Sequence, residues 1–488
     1  MLFNTLELIT LGVYSVAILY LFVFSLSQIH LTWAYIKRKK NAPKSHFSRV
    51  YKPVVTIQLP IYNEPTVVKR LIEQVSEINY PKNLLEIQIL DDSTDKTSAI
   101  IKDVVAQLPK DLDVTHIQRT NRKGFKAGAL KEGLVTAKGE LVAIFDADFL
   151  PEKDFLEKTV GFFENEHLGV VQTKWGHLNE DYSLLTKTQA FGLDAHFSVE
   201  QKGRNIENCF ISFNGTAGIW RKACIEDAGG WQSDTLTEDL DLSFRAQIKG
   251  WKFLFLEEVI SPAELPITVG AYKSQQYRWN KGAAETHVKL WKKVKQSNIT
   301  GKVKAHALMQ LVKGIGFIAS FLLTITSVPI LYFKSAGNST NTTMQILSFT
   351  LLCIVALVMF YLASSISHQN SRKGGIIKFL REFPVFIAIS LGTTLHNTVA
   401  VIEGYLKIKT PFVRTPKFNV SNGSKVVAEG NITWLTFIEG VLAIYFVFGI
   451  FLSFKLLDFT FLPFHILLFL GYGYFFFYSI AQRYNWAR

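Results

Sequence analysis

The side chains of this sequence that could do chemistry fall into three acidic clusters, one basic loop and one arginine–tryptophan pair. In AIFDADF, Asp146 and Asp148 follow an apolar run at 141–145. In extended backbone residues i and i+2 point the same way, so the two carboxylates converge. Like charges this close at an apolar strand end call for a counter-charge. A divalent cation shared with substrate phosphates supplies one, and a solvated turn is the alternative. In ILDDST, Asp91 and Asp92 come directly after the apolar run 87–90; they suit a ligand contact and an ordinary turn, in which Asp and Ser bond their own backbone, equally well. Between these sites lies NRKGFKAGAL, 121–130, with Arg122, Lys123 and Lys126 around two glycines. It reads as a loop-to-helix transition, where free backbone N–H groups and lysines suit a diphosphate.

The third cluster, TLTEDLDLSF, contains Glu238, Asp239 and Asp241. Thr235 and Glu238 form a T-x-x-E capping-box pattern, which accounts for Glu238 structurally. Asp239 and Asp241 are left over, and one of them could face a cleft as a general base. In QQYRWNKG, Gln275, Arg278 and Trp279 stand at i, i+3 and i+4, so a helix over 271–286 presents amide, guanidinium and indole on one face. The spacing leaves two readings open. One is a cation–π pair or an interfacial tryptophan near a membrane. The other is a platform on which a sugar ring stacks while Arg278 binds phosphate.

These groups need a frame to position them. From about 50 to 304 short β-branched runs at 54–59, 87–90, 114–118, 141–145, 170–173 and 253–256 alternate with helical patterns at 67–77, 97–107 and 126–137. The alternation predicts a mostly parallel α/β sheet with its site at the carboxyl ends of the strands. Outside this region the chain is membrane-like. The segments 8–34, 314–333, 344–366, 434–454 and 461–481 are nearly free of charge, and a bilayer-crossing helix needs about 20 residues. The expected division is an N-terminal transmembrane anchor at 1–36, a soluble domain at 50–304, and a C-terminal region at 305–488 with about four spans and a polar loop at 404–433.

The first span lacks a basic n-region and reads as a retained anchor rather than a signal peptide. Lys37, Arg38, Lys39, Lys40 and Lys44 follow it, so the positive-inside rule places the soluble region in the cytoplasm. The segment 383–403 is apolar for only 13 residues before His396, Asn397 and Glu403, which suits an interfacial or re-entrant helix. The loop bearing Lys407, Lys409, Arg414, Lys417 and Lys425, and the terminal Arg483 and Arg488, then stay inside. The net charge of +13 is concentrated at membrane borders and phosphate-like motifs, with no nucleic-acid-binding signature. Cys209, Cys224 and Cys353 have no disulfide or metal spacing and fit a reducing face. Asn338 and Asn341 lie in glycosylation sequons on the expected outer side.

Together QLPIYNE, ILDDSTD, NRKGFKAGAL, AIFDADFLP, FNGTAGIWR, AGGW, LTEDLDLSFRAQIKGWKFLFL and QQYRWNKG resemble, in order and spacing, the processive, membrane-embedded family 2 glycosyltransferases. The closest likeness is to the cellulose-synthase-like A and C branch, whose members make β-1,4-mannan, glucomannan or glucan. The resemblance implies a GT-A-type nucleotide-sugar-binding fold and a divalent cation, Mg2+ or Mn2+, on Asp146 and Asp148. It implies donor contacts from Asp91, Asp92, Lys126, Asp148 and Arg278. Asp239 is implied as the catalytic base, and Trp279, Gln275 and Asn214 as acceptor contacts. FVRTPK, 412–417, resembles the F-x-V-T-x-K gating segment of cellulose synthases with Arg414 in place of valine. The implied activity is inverting transfer of hexose from GDP-mannose, GDP-glucose or UDP-glucose to the 4-hydroxyl of a growing polysaccharide, in the plasma, inner or Golgi membrane. Transfer onto a lipid, as in ceramide glucosyltransferases, is the alternative; a channel or transporter leaves the ordered motifs unexplained.

Overall fold

A computed structural model of the chain describes residues 2–38, 51–335, 340–369, 371–410, 413–419 and 432–484. Lys39, Lys40, Lys44, Asn338, Phe412, Lys425 and Arg488 lie outside the described residues, as do the side chains of Arg38 and Asn341. Among the described residues seven strands form one sheet: β1 Val55–Ile61, β2 Leu85–Asp91, β3 Asp113–Gln118, β4 Leu141–Ile144, β5 Leu168–His177, β6 Gly218–Arg221 and β7 Lys252–Ala263, in the order β3-β2-β1-β4-β6-β5-β7. All run in one direction except β6, which is antiparallel to β4 and β5. The mostly parallel sheet predicted from the alternation is therefore present, with a reversed strand, GIWR, that the sequence pattern did not announce.

The central strands are buried on both faces, which is why they read as near-continuous apolar runs. Their few polar residues are matched across the register. Thr56 donates to Glu86 at 2.5 Å and Gln58 to Gln88 at 3.0 Å, each pair being direct neighbours on β1 and β2. A buried polar group without a partner costs about 1–3 kcal/mol, so this pairing fixes which strands lie side by side. The helices over 68–76, 97–107 and 125–136 fall within one residue of the predicted spans.

Among the described residues five helices are long and apolar enough to cross a membrane: Thr5–Lys37, Ile315–Ser335, Phe349–Ser367, Trp434–Lys455 and Leu462–Arg483. The segment expected not to cross directly is a broken pair, Arg372–Gly392 and Thr394–Tyr405, bent by 49°. The break falls where Gly392 packs on Gly471: a Cβ at either glycine would lie 2.5 Å or less from the other helix's backbone. Two glycines let two backbones touch, and the helix turns away beyond the contact.

Candidate active site

Parallel strands deliver their following loops to one edge, and a cleft opens there. It is lined by Tyr62 and Glu64 after β1, Asp92 after β2, Asp146 and Asp148 after β4, and Trp175 and His177 at the end of β5. Lys126 comes from the first turn of the helix Phe125–Thr136, and Glu238 and Asp239 from that of Glu238–Ile248. Gln275, Arg278 and Trp279 project from the long helix Val269–Gln296, and Arg414, Thr415 and Lys417 from the segment 413–419. Of the site residues that the family resemblance implies, all except Asp91 line this cleft.

Asp91 does not line the cleft. Its carboxylate accepts from the backbone N–H of Ser93 (2.8 Å), Ser98 Oγ (2.6 Å) and Gln118 Nε2 (3.2 Å) and lies 2.9 Å from His116 Nε2. Burial opposes its charge, but the bonds from His116, Ser98 and Ser93 outweigh burial and hold the carboxyl well below the usual range. Successive residues of a strand face opposite ways, so Asp91 braces β2 against β3 while Asp92 faces the cleft. Asp92 is gripped by Arg119, which also donates to the carbonyls of Lys123 and Phe125 at 3.0 Å. One guanidinium thus ties the ILDDST turn to the basic loop. Lys123 does not reach the cleft, whereas Arg122 lines it with its guanidinium carbon 3.2 Å from the centre of the Tyr62 ring.

The D-x-D pair is charge-balanced by lysines. Lys126 Nζ bonds Asp146 and also the carbonyl of Gly215 at 2.9 Å; Lys417 Nζ lies 2.7 Å from Asp148 Oδ2. Among the described residues no group of three or more His, Cys, Asp or Glu side chains could hold a metal ion by itself. Asp146 and Asp148 offer two carboxylates, a donor type that would suit a hard cation shared with substrate phosphates. Binding would require the lysines to give way.

The structure separates Asp239 from Asp241. Asp241 is fully buried, paired with Arg245 at 2.8 Å and Lys289 at 3.0 Å. Asp239, on the opposite side of the helix, lines the cleft and accepts a 2.8 Å bond from the Leu240 N–H. Burial pushes its carboxyl up to about 7, and neighbouring Glu238 adds to the rise. A carboxylate tuned to neutral pH in a cleft is suited to general-base work. The capping-box expectation fails: the helix begins at Glu238, its cap is Thr237, and the cap side chain makes no hydrogen bond to the first turn. Glu238 is a cleft residue instead.

On the other wall Trp279 stands 6.4 Å from Trp175, ring centre to ring centre, and Trp175 packs edge-on against Phe149 at 5.3 Å. Arg278 donates to Thr415 at 3.2 Å; burial lowers its basicity while Glu238, Asp146 and Asp239 sustain its charge. The 413–419 segment crosses the opening through Arg414 on Glu64 (2.7 Å) and Asn419 on Glu264 (3.0 Å). Burial raises Glu64 to about 7 against the pull of Arg414 and Lys417. The sequence reading missed Tyr62, Glu64, Arg119, Trp175 and His177. The last two were accessible, because extending the alternation of the 170–173 strand by four residues puts both on one face.

Known proteins resemble this arrangement. The model of glycosyltransferase like family 2 matches residues 53–282. Glucomannan 4-beta-mannosyltransferase 1 of Oryza sativa subsp. japonica is 40% identical over 294 residues, covering 58% of this chain and 56% of the relative. Glucomannan 4-beta-mannosyltransferase 2 of Arabidopsis thaliana is 44% identical over 260 residues, covering 50% and 49%. The chain spans about half the length of the curated relatives it matches. Among solved structures, the mannosyltransferase PcManGT from Pyrobaculum calidifontis, in complex with GDP-Man and Mn2+, superposes with a TM-score of 0.55 at 20% identity, over 72% of this chain and 98% of that one. It shares the GT-A-like fold. Residues 53–282, which carry the strand-end aspartates, match the model of glycosyltransferase like family 2 and are similar in sequence to these mannosyltransferases.

Proposed function

We propose that the chain is a membrane-embedded, inverting and processive hexosyltransferase. It would transfer mannose from GDP-mannose, with GDP-glucose and UDP-glucose as the other donors, to the 4-hydroxyl of a growing β-1,4-linked polysaccharide. The observation that carries this reading is the placing of Asp239 in one cleft between the cationic groups Lys126 and Arg278 and the indole of Trp279. The names of the curated relatives support the mannosyl donor and the 4-linkage.

In this reading Trp279 and Gln275 hold the acceptor's terminal sugar, and Asn214 contacts its hydroxyls. Asp239 takes the proton of the 4-hydroxyl as that oxygen forms its bond to the anomeric carbon. The bond from that carbon to the diphosphate breaks on the opposite face, and its electron pair leaves with the phosphate, so an α-linked donor gives a β-linked product. Lys126 and Arg278 stabilise the charge gathering on the leaving group. A divalent cation on Asp146 and Asp148, when bound, supplies further positive charge at the diphosphate. Asp92 contacts the nucleotide. The catalytic domain, 50–304, would lie on the cytoplasmic side by the positive-inside rule, given Lys37 after the first span and Lys407, Lys409 and Lys417 in the polar loop. The helices at 1–36 and 305–488 anchor it and pass the product outward.

The test is to offer purified chain in lipid nanodiscs each nucleotide sugar in turn and digest the product with linkage-specific hydrolases. A long polymer cut by a β-1,4-mannanase is expected. A single sugar on a chloroform-soluble lipid, or no transfer from any donor, overturns the proposal.

A further inference from the structure

Beside the cleft the chain makes a local departure from regular structure. The helix Leu184–Ala195 passes through a π-helical turn, His196–Gln201, before resuming at Lys202–Ile206. Such turns, bonded i to i+5, are rare and cluster at functional sites. In an α-helix residues five apart lie about 140° apart around the axis. The wider π turn brings them onto nearly one face. Here the residues five apart are His196 and Gln201, and both bond the cleft residue Asn214: Gln201 Nε2 donates to Asn214 Oδ1 at 2.7 Å, and Asn214 Nδ2 lies 3.1 Å from His196 Nε2.

The sense of every bond in this group is dictated by backbone. The N–H of Ser212 can only donate, and it meets Gln201 Oε1 at 3.3 Å; the carbonyl of Ser212 can only accept, and it meets Gln201 Nε2 at 2.8 Å. The glutamine amide is thereby oriented, and its Nε2 must donate to Asn214 Oδ1. Asn214 then presents Nδ2 to His196, whose Nε2 must accept. The imidazole proton therefore sits on Nδ1, which lies 2.8 Å from the Glu200 carboxylate. Glu200 also accepts from Arg204 at 3.2 Å and lies 3.7 Å from Lys313. Although Glu200 is buried, these cations and His196 keep it ionised. The backbone N–H of Asn214 is tied to Gln172 Oε1 at 2.9 Å. One hydrogen of the Asn214 amide has no partner among the described residues. It belongs to a side chain that lines the cleft, one residue from the Gly215 carbonyl that holds Lys126. A Cβ at Gly215 would lie 3.0 Å from Asp239 Oδ2, so the backbone that follows Asn214 passes beside the candidate base, and both side chains line the same cleft.

We propose that His196, Gln201 and Glu200 are positioning residues that lock Asn214 in one amide orientation, so that its second Nδ2–H donates to a hydroxyl oxygen of the acceptor sugar beside Asp239. This rests on reading the cleft as a sugar-transfer site. A freely turning asparagine would offer its oxygen as readily as its N–H. A locked one meets an acceptor hydroxyl only as a donor, leaving that hydroxyl's own proton free to point toward Asp239.

The experiment uses the full chain in nanodiscs with GDP-mannose and a soluble manno-oligosaccharide, reading the acceptor KM and, separately, the affinity for GDP. His196→Phe removes the acceptor atom opposite Asn214 and should raise the acceptor KM about tenfold, as the loss of one hydrogen bond to a binding group does, with GDP affinity within about twofold. His196→Gln, whose Oε1 can accept the same bond, should recover most of the loss, which a merely structural role would not give. If His196→Phe no longer binds GDP it has misfolded, and Glu200→Gln decides, with the same acceptor-side rise but smaller. Equal changes in acceptor KM and GDP affinity, or no change in either, overturn the network. A wild-type chain that binds GDP but transfers to no saccharide overturns the transfer reading itself, before any variant is compared.

Discussion

Replacing Glu238 by glutamine should move the acid limb of the pH–rate profile to lower pH, and replacing Lys126 by methionine should move it to higher pH. The reasoning starts from Asp239, whose carboxyl rises from an ordinary 3.8 to about 7, through burial first and the adjacent Glu238 carboxylate second, against the Leu240 N–H and the Lys126 ammonium. The working base is the ionised form, so kcat/KM for limiting acceptor should climb about tenfold per pH unit below about 7 and level off above it. Glu238→Gln removes the second cause and leaves the first. The limb should shift down by on the order of one pH unit, a typical effect of one close charge, without reaching the ordinary carboxylate value. Lys126→Met removes an opposing charge and shifts it up. The assay is initial-rate nucleoside diphosphate release across pH 5 to 9, with Asp239→Asn as the control that should abolish transfer while GDP still binds. The same shift has a sign in stability. Between about 3.8 and 7 the native state holds a proton that the unfolded chain has lost, so this group's contribution to stability falls as pH rises through that window. Opposite shifts from one acidic and one basic neutralisation are hard to produce by a general structural effect. A wild-type limb near pH 4, a limb that neither substitution moves, or substantial transfer by Asp239→Asn would refute the assignment.

Asp241→Asn should behave as a stability variant. It leaves Arg245 and Lys289 facing a neutral group in a fully buried site, so the melting temperature should drop with a loss of about 3–5 kcal/mol, while the folded fraction keeps its GDP affinity. Trp279→Ala should raise the acceptor KM several-fold more than it weakens GDP binding, measured on the same preparation; a loss confined to GDP would put the indole on the wrong side of the cleft. Lys417→Met frees Asp148 of an ammonium at 2.7 Å, so Mn2+ titrated without nucleotide and followed by electron paramagnetic resonance should bind more tightly than to wild type. Unchanged Mn2+ affinity would mean that the lysine does not compete for the site.

What was readable in the sequence was whatever short-range periodicity encodes. β1, β2 and β4 are buried on both faces and announced themselves as apolar runs, and the D-x-D spacing put Asp146 and Asp148 on one side of the chain before any fold was known. The local pattern by itself does not separate Asp239 from Asp241, although it holds a signal that could. Arg245 stands four residues after Asp241 on a predicted helix, so an ion pair would have placed Asp241 on the face away from Asp239. The choice between Asp91 and Asp92 needed one fact that no local pattern holds, namely which face of β2 meets β3, where His116 and Gln118 wait for the buried carboxylate. β6 was missed because four residues beginning with glycine are too few to show a period, and its reversal is set by the chain's return path rather than by its own residues. The least legible feature is the contact between Lys417 and Asp148, 269 residues apart. Nothing local in either segment requires it. It follows from electrostatics once the sheet is built: a strand edge that gathers Asp146, Asp148, Glu238 and Asp239 draws lysines and arginines from wherever the chain can bring them, Lys126, Arg278 and Lys417 among them. The same acidic surplus therefore draws the protein's own charges across the cleft, Lys417 onto Asp148 and Arg414 onto Glu64.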